Sequence, residues 1–331
     1  MKKWKELATI SLFEKNYISE EQFAQIKAYR SLNIFSLHNE LRFLLYLSVT
    51  LFTSGIGMLI YQNIDSIGHI ALLSALFLVI IVSFYFCFKN APKFEKQETK
   101  FENSLYDYLL LLANILTCTF IGYLQFQYQT FGTHYGLATI IPTIVSFASA
   151  YYFDNKSCLS IGISGLAAYI GLSVSPQTLL ENSTFNMDNL SYSGVLLGFT
   201  FVIWTIYSDK IDLKKHFKLV FLTFALHLIS ISCINNLFQI YWPVFMLIIT
   251  ASTFYFFKIS HQIQGISLFI FTILYGYLSF NITFSRIIDF LEFYNIPEAL
   301  VYMAPFYFIF SVVYFIKLIK DFKKETHDSI Q

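Results

Sequence analysis

Long apolar segments alternate with short polar connections along most of the 331-residue chain. A helix needs about 20 apolar residues to cross the hydrocarbon core of a membrane, which is roughly 30 Å thick. Ten segments meet this requirement. The predicted spans are 41–61, 68–88, 104–126, 135–153, 158–174, 192–207, 217–235, 240–257, 263–283 and 299–319. The pattern therefore predicts an all-α fold, a polytopic transmembrane helix bundle of about ten spans.

The basic residues are confined to alternate connections between these spans. If ten spans are counted, 21 of the 22 Lys and Arg residues lie on one side, and Arg286 alone lies on the other. Cytoplasmic loops of membrane proteins are enriched in Lys and Arg. A wrong span count would mix the two classes of loop. The distribution therefore predicts a multi-pass protein of the inner (cytoplasmic) membrane with both termini in the cytoplasm.

The chain before the first span has a different pattern. Trp4–Phe13 is predicted to be a short amphipathic helix, and Asn16-Tyr17 interrupts it. Ser19-Glu20-Glu21-Gln22 is a capping-box pattern, which is typical of the start of a second helix. These elements predict a small helical hairpin on the cytoplasmic side. It packs on the membrane surface, binds a protein partner or occludes the cytoplasmic mouth of the bundle.

Three regions follow from these patterns. We predict a cytoplasmic amphipathic helical hairpin over residues 1–40, a transmembrane bundle over 41–319 and a basic cytoplasmic tail over 320–331. The start of the chain is charged and has no apolar core of a cleavable signal peptide, so the first span is expected to act as an uncleaved insertion signal.

The amino-acid composition limits the kinds of partner and bound group that we expect. The chain is 56% hydrophobic and 13% charged, which makes the lipid bilayer a necessary partner, and its net charge of +1 indicates no nucleic-acid partner. The four cysteines lie in or beside apolar stretches without a CxxC pair, so we predict neither a disulfide nor a zinc site. No cofactor and no metal are predicted.

Small residues indicate where helices approach one another closely in lipid. In the fifth span, Ser160, Ser164 and Ala168 are spaced four apart, as are Ala167 and Gly171. The sequence therefore predicts that this span lies inside the bundle.

Ionisable side chains at membrane depth are costly to leave unpaired and are candidate functional residues. His227 lies near the middle of the seventh span, where it is either a proton carrier or a neutral, hydrogen-bonded packing residue. Asp107 lies just inside the third span, with Asn114 two turns deeper on the same side. These three residues form a candidate transport or proton site. Asp107 is alternatively a hydrated carboxylate at a helix start, favoured by the helix dipole.

A second candidate site lies on the other membrane face. Its residues are Asn63, Asp65, His69, His134 and Arg286. Two histidines and a carboxylate are able to bind a metal, but their spacing does not require one.

Arg286 belongs to the segment Phe284–Glu298, which resembles an interfacial helix. Within it, Arg286 and Asp289 are three apart and are placed to form an ion pair. Alternatively, Arg286 binds an anionic ligand at this face.

Part of the chain resembles a known family. The matching pieces are Asn16-Tyr17-Ile18-Ser19-Glu20-Glu21-Gln22, Gly55-Ile56-Gly57 and Tyr61-Gln62-Asn63-Ile64-Asp65-Ser66-Ile67. Together, over about the first 90 residues, they resemble the bacterial predicted membrane proteins called domain of unknown function 2157. The resemblance implies a bacterial inner-membrane protein. It implies no reaction and no catalytic residues.

Two functions from different classes are compatible with the sequence. The first is a small-solute transporter or permease, suggested by the ten spans and by His227 at mid-span; its small-molecule ligand is unknown. The second is a non-transporting scaffold or sensor subunit that acts through residues 1–40. A lipid-modifying enzyme built on Asp65, His69 and His134 is a third alternative. The chain carries no GxSxG, HExxH, Walker A or GxGxxG motif, so we expect it not to be an enzyme.

Overall fold

A computed structural model describes residues 13, 17–31, 38–62, 68–132, 135–174, 187–291 and 296–328. All regular structure in these ranges is helical. The helices are α1 (Glu20–Ser31), α2 (His38–Gln62), α3 (His69–Lys89), α4 (Leu105–Tyr128), α5 (Tyr135–Phe153), α6 (Lys156–Val174), α7 (Met187–Lys210), α8 (Lys218–Asn236), α9 (Trp242–Gln262), α10 (Ile266–Phe290) and α11 (Ile296–Asp328), with a 3-10 turn at Lys215–Phe217 before α8.

Each of the ten predicted spans coincides with one of the helices α2–α11. Within the described ranges, nine helices, α3–α11, are long and apolar enough to cross a membrane. The tenth helix that matches a predicted span, α2, has 25 residues, but its apolar segment is the shorter Phe43–Leu59. The prediction of an all-α, polytopic helix bundle is confirmed, and the chain is a membrane protein with several spans.

The chain divides into two compact units, residues 1–64 and 65–331. In the first unit, the capping box predicted before α1 is formed: Ser19 N donates to Gln22 Oε1 at 3.0 Å, and Gln22 N donates to Ser19 Oγ at 3.3 Å. The rings of Phe13 and Phe23 stack with centroids 4.5 Å apart. The other residues of the first predicted helix, 4–12, lie outside the described ranges, and the three-region division of the chain stays a prediction.

Helix α8 lies at the centre of the second unit, in contact with α6, α7, α9 and α10. Its buried apolar residues recur every three or four positions, which places them on one broad face toward the neighbouring helices. The side chains that are buried along it include Leu222, Ala225, Leu226, Ile229 and Cys233. The predicted mid-span residue His227 therefore sits on the most enclosed helix of the unit.

Glycines allow α7 and α8 to approach closely. A Cβ atom at Gly198 would lie 2.5 Å from Ile229 Cγ1 and 3.2 Å from the Ala225 carbonyl oxygen, and one at Gly194 would overlap Ser232 Oγ. These two glycines form a GxxxG pattern, which brings helix backbones together in lipid.

The fifth predicted span, α6, contacts α4, α5, α7 and α8, but the small residues spaced four apart do not make its closest contacts. In α6, the close contacts with α5 are made by Gly162 against the Phe147 ring and by Gly165 against Thr143. Ser164 and Ala168 are exposed. Since two residues along a helix differ by about 200° in direction, Ser164 points away from the face that carries Gly162.

The segment after the ninth span also differs from its prediction. Helix α10 continues without a break to Phe290, so Arg286 and Asp289 belong to its last turns and not to a separate interfacial helix. Among the described residues no ion pair joins these two side chains. The helix continues because no Gly or Pro follows Gly276 before it ends.

Candidate functional site

One end of the second unit is rich in lysine, and we call it the basic end. It is the end at which α3 joins α4, α5 joins α6, α7 joins α8 and α9 joins α10. The lysines in or next to these connections are Lys89, Lys93, Lys96, Lys100, Lys156, Lys210, Lys214, Lys215, Lys218 and Lys258. Three of the connections meet around one acidic side chain.

That side chain is Asp154, in the two-residue turn between α5 and α6. Its backbone has a φ of 61°, and its carboxylate is fully buried. Oδ2 accepts a hydrogen bond from the backbone N of Thr99 at 2.6 Å and from Lys214 Nζ at 2.9 Å, while Oδ1 accepts from His216 Nε2. We call these four residues the Asp154 cluster.

Lys214 enters this cluster from the connection between α7 and α8, and its side chain is 1% exposed. Besides Asp154, its Nζ donates to the Gln97 carbonyl at 3.2 Å and lies 5.4 Å above the Phe94 ring. Its backbone N donates to the Lys96 carbonyl at 2.7 Å. The ammonium and the carboxylate thus have several partners each, as buried charges require.

These contacts hold the connections of the basic end in fixed positions relative to one another. The Asp154 cluster links the α3–α4, α5–α6 and α7–α8 connections through charge-assisted hydrogen bonds, which are the strong ones. The carboxylate oxygens are occupied by donors from within the chain. The arrangement is therefore typical of a stabilising structural contact, and not of an open catalytic site.

Asn155, next to Asp154, extends the linkage to α4. Its Oδ1 accepts from the backbone N atoms of Ser157 and Cys158, both at 3.0 Å, which caps the start of α6. Its Nδ2 donates to Asp107 Oδ1 at 3.1 Å. The predicted site residue Asp107 is thus tied to the turn between α5 and α6.

Asn114, the predicted partner of Asp107, is completely buried one turn beyond Leu110. Its Nδ2 donates to the Leu110 carbonyl at 2.9 Å and approaches Cys158 Sγ at 3.3 Å. Its Oδ1 has no hydrogen-bond partner among the described residues. Whether Asp107 and Asn114 act together stays a prediction.

Exposed and half-buried ion pairs surround the cluster. Lys215 pairs with Asp212, Lys218 pairs with Asp209, and Lys156 Nζ lies 3.6 Å from Glu98 Oε1. The hydrogen bond from Lys215 lowers the pKa of the Asp212 carboxyl below its ordinary value. The same bond raises the pKa of the Lys215 ammonium. Water screens these pairs, so they contribute little beside the buried one.

His227 lies in the middle of α8, with a partner on α10. A hydrogen bond of 2.9 Å joins its Nδ1 to Tyr275 Oη, and its ring packs edge-on against Phe271 with centroids 4.7 Å apart. This is the arrangement of a packed, hydrogen-bonded histidine. Its role as a proton carrier stays a prediction.

The predicted site on the opposite face is described only in part, because Asn63, Asp65 and His134 lie outside the described ranges. His69 Nδ1 lies 2.6 Å from Tyr123 Oη. Arg286 Nε is buried without a hydrogen-bond partner in the described part of the chain. No hydrogen bond or ion pair between described residues joins His69 to Arg286.

The cysteines and metal-binding side chains are scattered. All four cysteines are free, and Cys87, Cys158 and Cys233 are completely buried. Across the described ranges, no group of three or more His, Cys, Asp and Glu side chains is placed to hold a metal ion.

Two clefts open in the second unit. One, of about 340 Å³, lies between α6, α7 and α8 toward the end opposite the basic end, and is lined by Ala167, Ile170, Gly171, Leu190, Ser191, Ser193, Gly194, Leu197, Leu228, Ile231, Ser232 and Asn235. The other, of about 320 Å³, lies between α9, α10 and α11, and its lining includes Phe257, Tyr277 and Phe315. Neither lining includes His227, Asp107 or Asn114.

The Asp154 cluster was not predicted from the sequence. Its signal was a single acidic residue in a two-residue turn between long apolar segments, together with the Lys214–Lys218 run in another connection on the same side. These lysines were used only to predict orientation, and no acid was predicted to neutralise them.

Comparison with known proteins gives one match. Residues 11–159 match the family described as predicted membrane protein (DUF2157). The resemblance expected from the first 90 residues is therefore confirmed and reaches through α5 into α6, over less than half of the chain. No curated protein and no solved structure matches the chain significantly.

Proposed function

We propose that this membrane protein is a non-transporting scaffold or sensor subunit of the bacterial inner membrane that binds a protein partner through residues 1–40. The observation that supports it best is the Asp154 cluster. A buried carboxylate that joins three connections makes the basic end a fixed surface, because moving any one of them would break a charge-assisted hydrogen bond to Asp154 or Lys214.

Two clefts of the second unit support the same proposal. Among the described residues, no charged side chain lines either of them. Transporters of polar solutes place ionisable or polar groups around a site near the membrane midplane. Here the mid-helix His227 contacts Tyr275 and lines neither cleft.

The proposed orientation places the basic end and both termini in the cytoplasm, because cytoplasmic loops collect Lys and Arg. Two exposed positions at opposite ends of the second unit test it: Lys100→Cys at the basic end and Gln129→Cys at the other. In a background with the four native cysteines replaced, a membrane-impermeant maleimide added to spheroplasts should label Gln129→Cys alone. Labelling of Lys100→Cys alone would reverse the orientation.

The partner is tested by photo-crosslinking in the native cell. A photoreactive amino acid replaces Gln25, an exposed residue of α1, and in a matched control it replaces Gln129. The proposal expects one discrete protein adduct from position 25 that is absent from position 129. It is rejected if both positions give the same adducts, or if position 25 gives none at native expression.

A small-solute transporter is the second candidate, and the observation in its favour is the polar pair of His227 and Tyr275 between α8 and α10. Transport through this pair requires water to reach it. A cysteine in place of His227 should then react with a small cationic thiosulfonate about as fast as Lys100→Cys does. A cysteine in place of lipid-exposed Ile231 is the unreactive control. If the cysteine at 227 is as inert as this control, transport through His227 is rejected.

A further inference from the structure

The 340 Å³ cleft between α6, α7 and α8 is graded in polarity along its length. At the end farther from the basic end, Asn235 Nδ2 donates to Ser191 Oγ at 2.9 Å. Closer to the middle of the helices the lining becomes aliphatic, with Leu197 and Leu228. The cleft is therefore amphipathic along the membrane normal, with its polar end near the helix ends.

Two hydroxyl groups in the cleft have hydrogen-bonding capacity left over. Ser191 Oγ accepts from Asn235, but its own hydroxyl donates to no other described residue, and Ser232 Oγ has no hydrogen-bond partner within the described ranges. Serine hydroxyls in a helix usually donate to a carbonyl one turn back. Ser193, in the same cleft, does so, donating to Leu190 O at 2.8 Å.

The dimensions of the cleft suit part of a small molecule. From Leu228 to Asn235 the cleft extends over seven residues of α8, about 10 Å at 1.5 Å per residue. Its volume of about 340 Å³ lies at the lower end of the range of small-molecule sites.

The charge of the lining restricts the occupant further. Among the described residues, no Lys, Arg, Asp or Glu lines the cleft, so these residues offer nothing to neutralise a phosphate or a carboxylate. Its free donors suit a neutral acceptor such as an ester carbonyl. Its aliphatic part suits the hydrocarbon of an acyl chain, which packs against it by van der Waals contact.

We propose that this cleft binds one diacyl glycerolipid from the leaflet opposite the basic end, with an ester carbonyl at Ser191 and Ser232 and the upper part of an acyl chain along Leu197 and Leu228. The cleft reaches about two thirds of the way through a leaflet whose hydrocarbon is about 15 Å deep. The headgroup phosphate stays outside the cleft, in the interface. This site is independent of the partner proposed for residues 1–40.

The test uses the full-length protein in liposomes with a phosphatidylcholine that carries a diazirine on its acyl chain. After illumination, adducts are mapped by mass spectrometry of peptides. The proposal expects adducts concentrated on the α7 and α8 peptides that hold Leu197 and Leu228. An excess of unlabelled phosphatidylcholine should lower them at least fivefold, and an equal amount of fatty acid should not.

Two cleft variants and one control distinguish lipid binding in the cleft from general contact between lipid and the exposed helices. Gly171→Leu projects a side chain into the cleft, since a Cβ there meets only Leu190 Cδ1 at 3.6 Å, and should lower these adducts about tenfold. Gly122→Leu, with open space around it, is the matched control and should leave them unchanged. Ser191→Ala with Ser232→Ala, a change that fills no space, should weaken labelling severalfold.

Three results would overturn the proposal. One is labelling spread evenly over the exposed helices and insensitive to both cleft variants, which would indicate general lipid contact only. Another is equal competition by fatty acid, which would remove the role of the glycerol esters. The third is loss of adducts in Gly122→Leu to the same extent as in Gly171→Leu.

Discussion

The carboxylate of Asp154 is fully buried and lies 2.9 Å from the ammonium of Lys214, 60 residues further along the chain. Each of these two groups is the main counter-ion of the other. Attraction between buried charges often does no more than offset the cost of removing them from water. Removing a single partner, however, leaves the other charge buried and uncompensated. The pair thus couples the α5–α6 turn to the α7–α8 connection.

The substitution Asp154→Asn keeps the shape of the side chain and removes its charge. We expect it to lower the free energy of unfolding by about 3–5 kcal/mol, because Lys214 would remain buried without a counter-ion. Equilibrium unfolding of the purified protein in mixed micelles measures the change.

Asp212→Asn is the matched control, since Asp212 pairs with Lys215 in the same region but is exposed. It should produce no measurable change in stability. Combining Asp154→Asn with Lys214→Met should restore much of the loss, because no unpaired cation remains. Equal effects of the two aspartate substitutions would contradict a special role for the buried pair.

The helices were predictable from the sequence, and the contacts between them were not. Long apolar segments with alternating basic connections predict ten spans, because length and polarity act locally along the chain. Nine of the described helices have the length and composition of a span. The Asp154 cluster needs Thr99, Asp154 and Lys214 to meet. Nothing local in the sequence indicates that these three connections are neighbours, although all of them lie on the predicted cytoplasmic side.

The candidate residues named from the sequence illustrate the same limit. His227 was correctly placed at mid-span, but its partner Tyr275 comes from another helix 48 residues away. Arg286 was expected to pair within its own helix turn, and its side chain does not reach Asp289. Spacing predicts which side chains share a helix face, but the actual contact also depends on the neighbouring helix.

Asn155 supplies a second testable element at the basic end. Replacing it with Ala removes the acceptor for the Ser157 and Cys158 N–H groups and the donor to Asp107. We expect a loss of about 0.5–2 kcal/mol in the free energy of unfolding, the usual range for a lost N-cap. Asn155→Ser retains a capping oxygen and should lose less. A loss as large for Ser as for Ala would assign the effect to the contact with Asp107.

The close approach of α7 and α8 is tested at Gly198. Gly198→Ala introduces a Cβ 2.5 Å from Ile229 Cγ1 and 3.2 Å from a backbone oxygen. It should lower the free energy of unfolding by about 1–3 kcal/mol through overpacking. Gly122→Ala, also in mid-helix, meets nothing within 4 Å and should be neutral or slightly stabilising. If both substitutions stabilise the protein, the helices separate there more easily than the structure implies.

Gln129 is expected to be a position where the protein gains stability by losing a side chain. It follows the last residue of α4 with φ 46° and ψ 41°, the left-handed conformation that favours glycine. Its side chain is exposed, while its backbone N donates to Gln125 O at 3.0 Å, and its carbonyl accepts from Gly132 N at 2.7 Å. Gln129→Gly keeps both backbone bonds and relieves the contact between Cβ and the following carbonyl. Because glycine also loses more conformational freedom on folding, the net gain should be about 0.5–1 kcal/mol in the free energy of unfolding.

Gln129→Ala is the control, because it keeps the Cβ and should gain nothing. A gain in the alanine variant equal to that in the glycine variant would show that the removed amide group, and not the left-handed backbone, was the source of the cost.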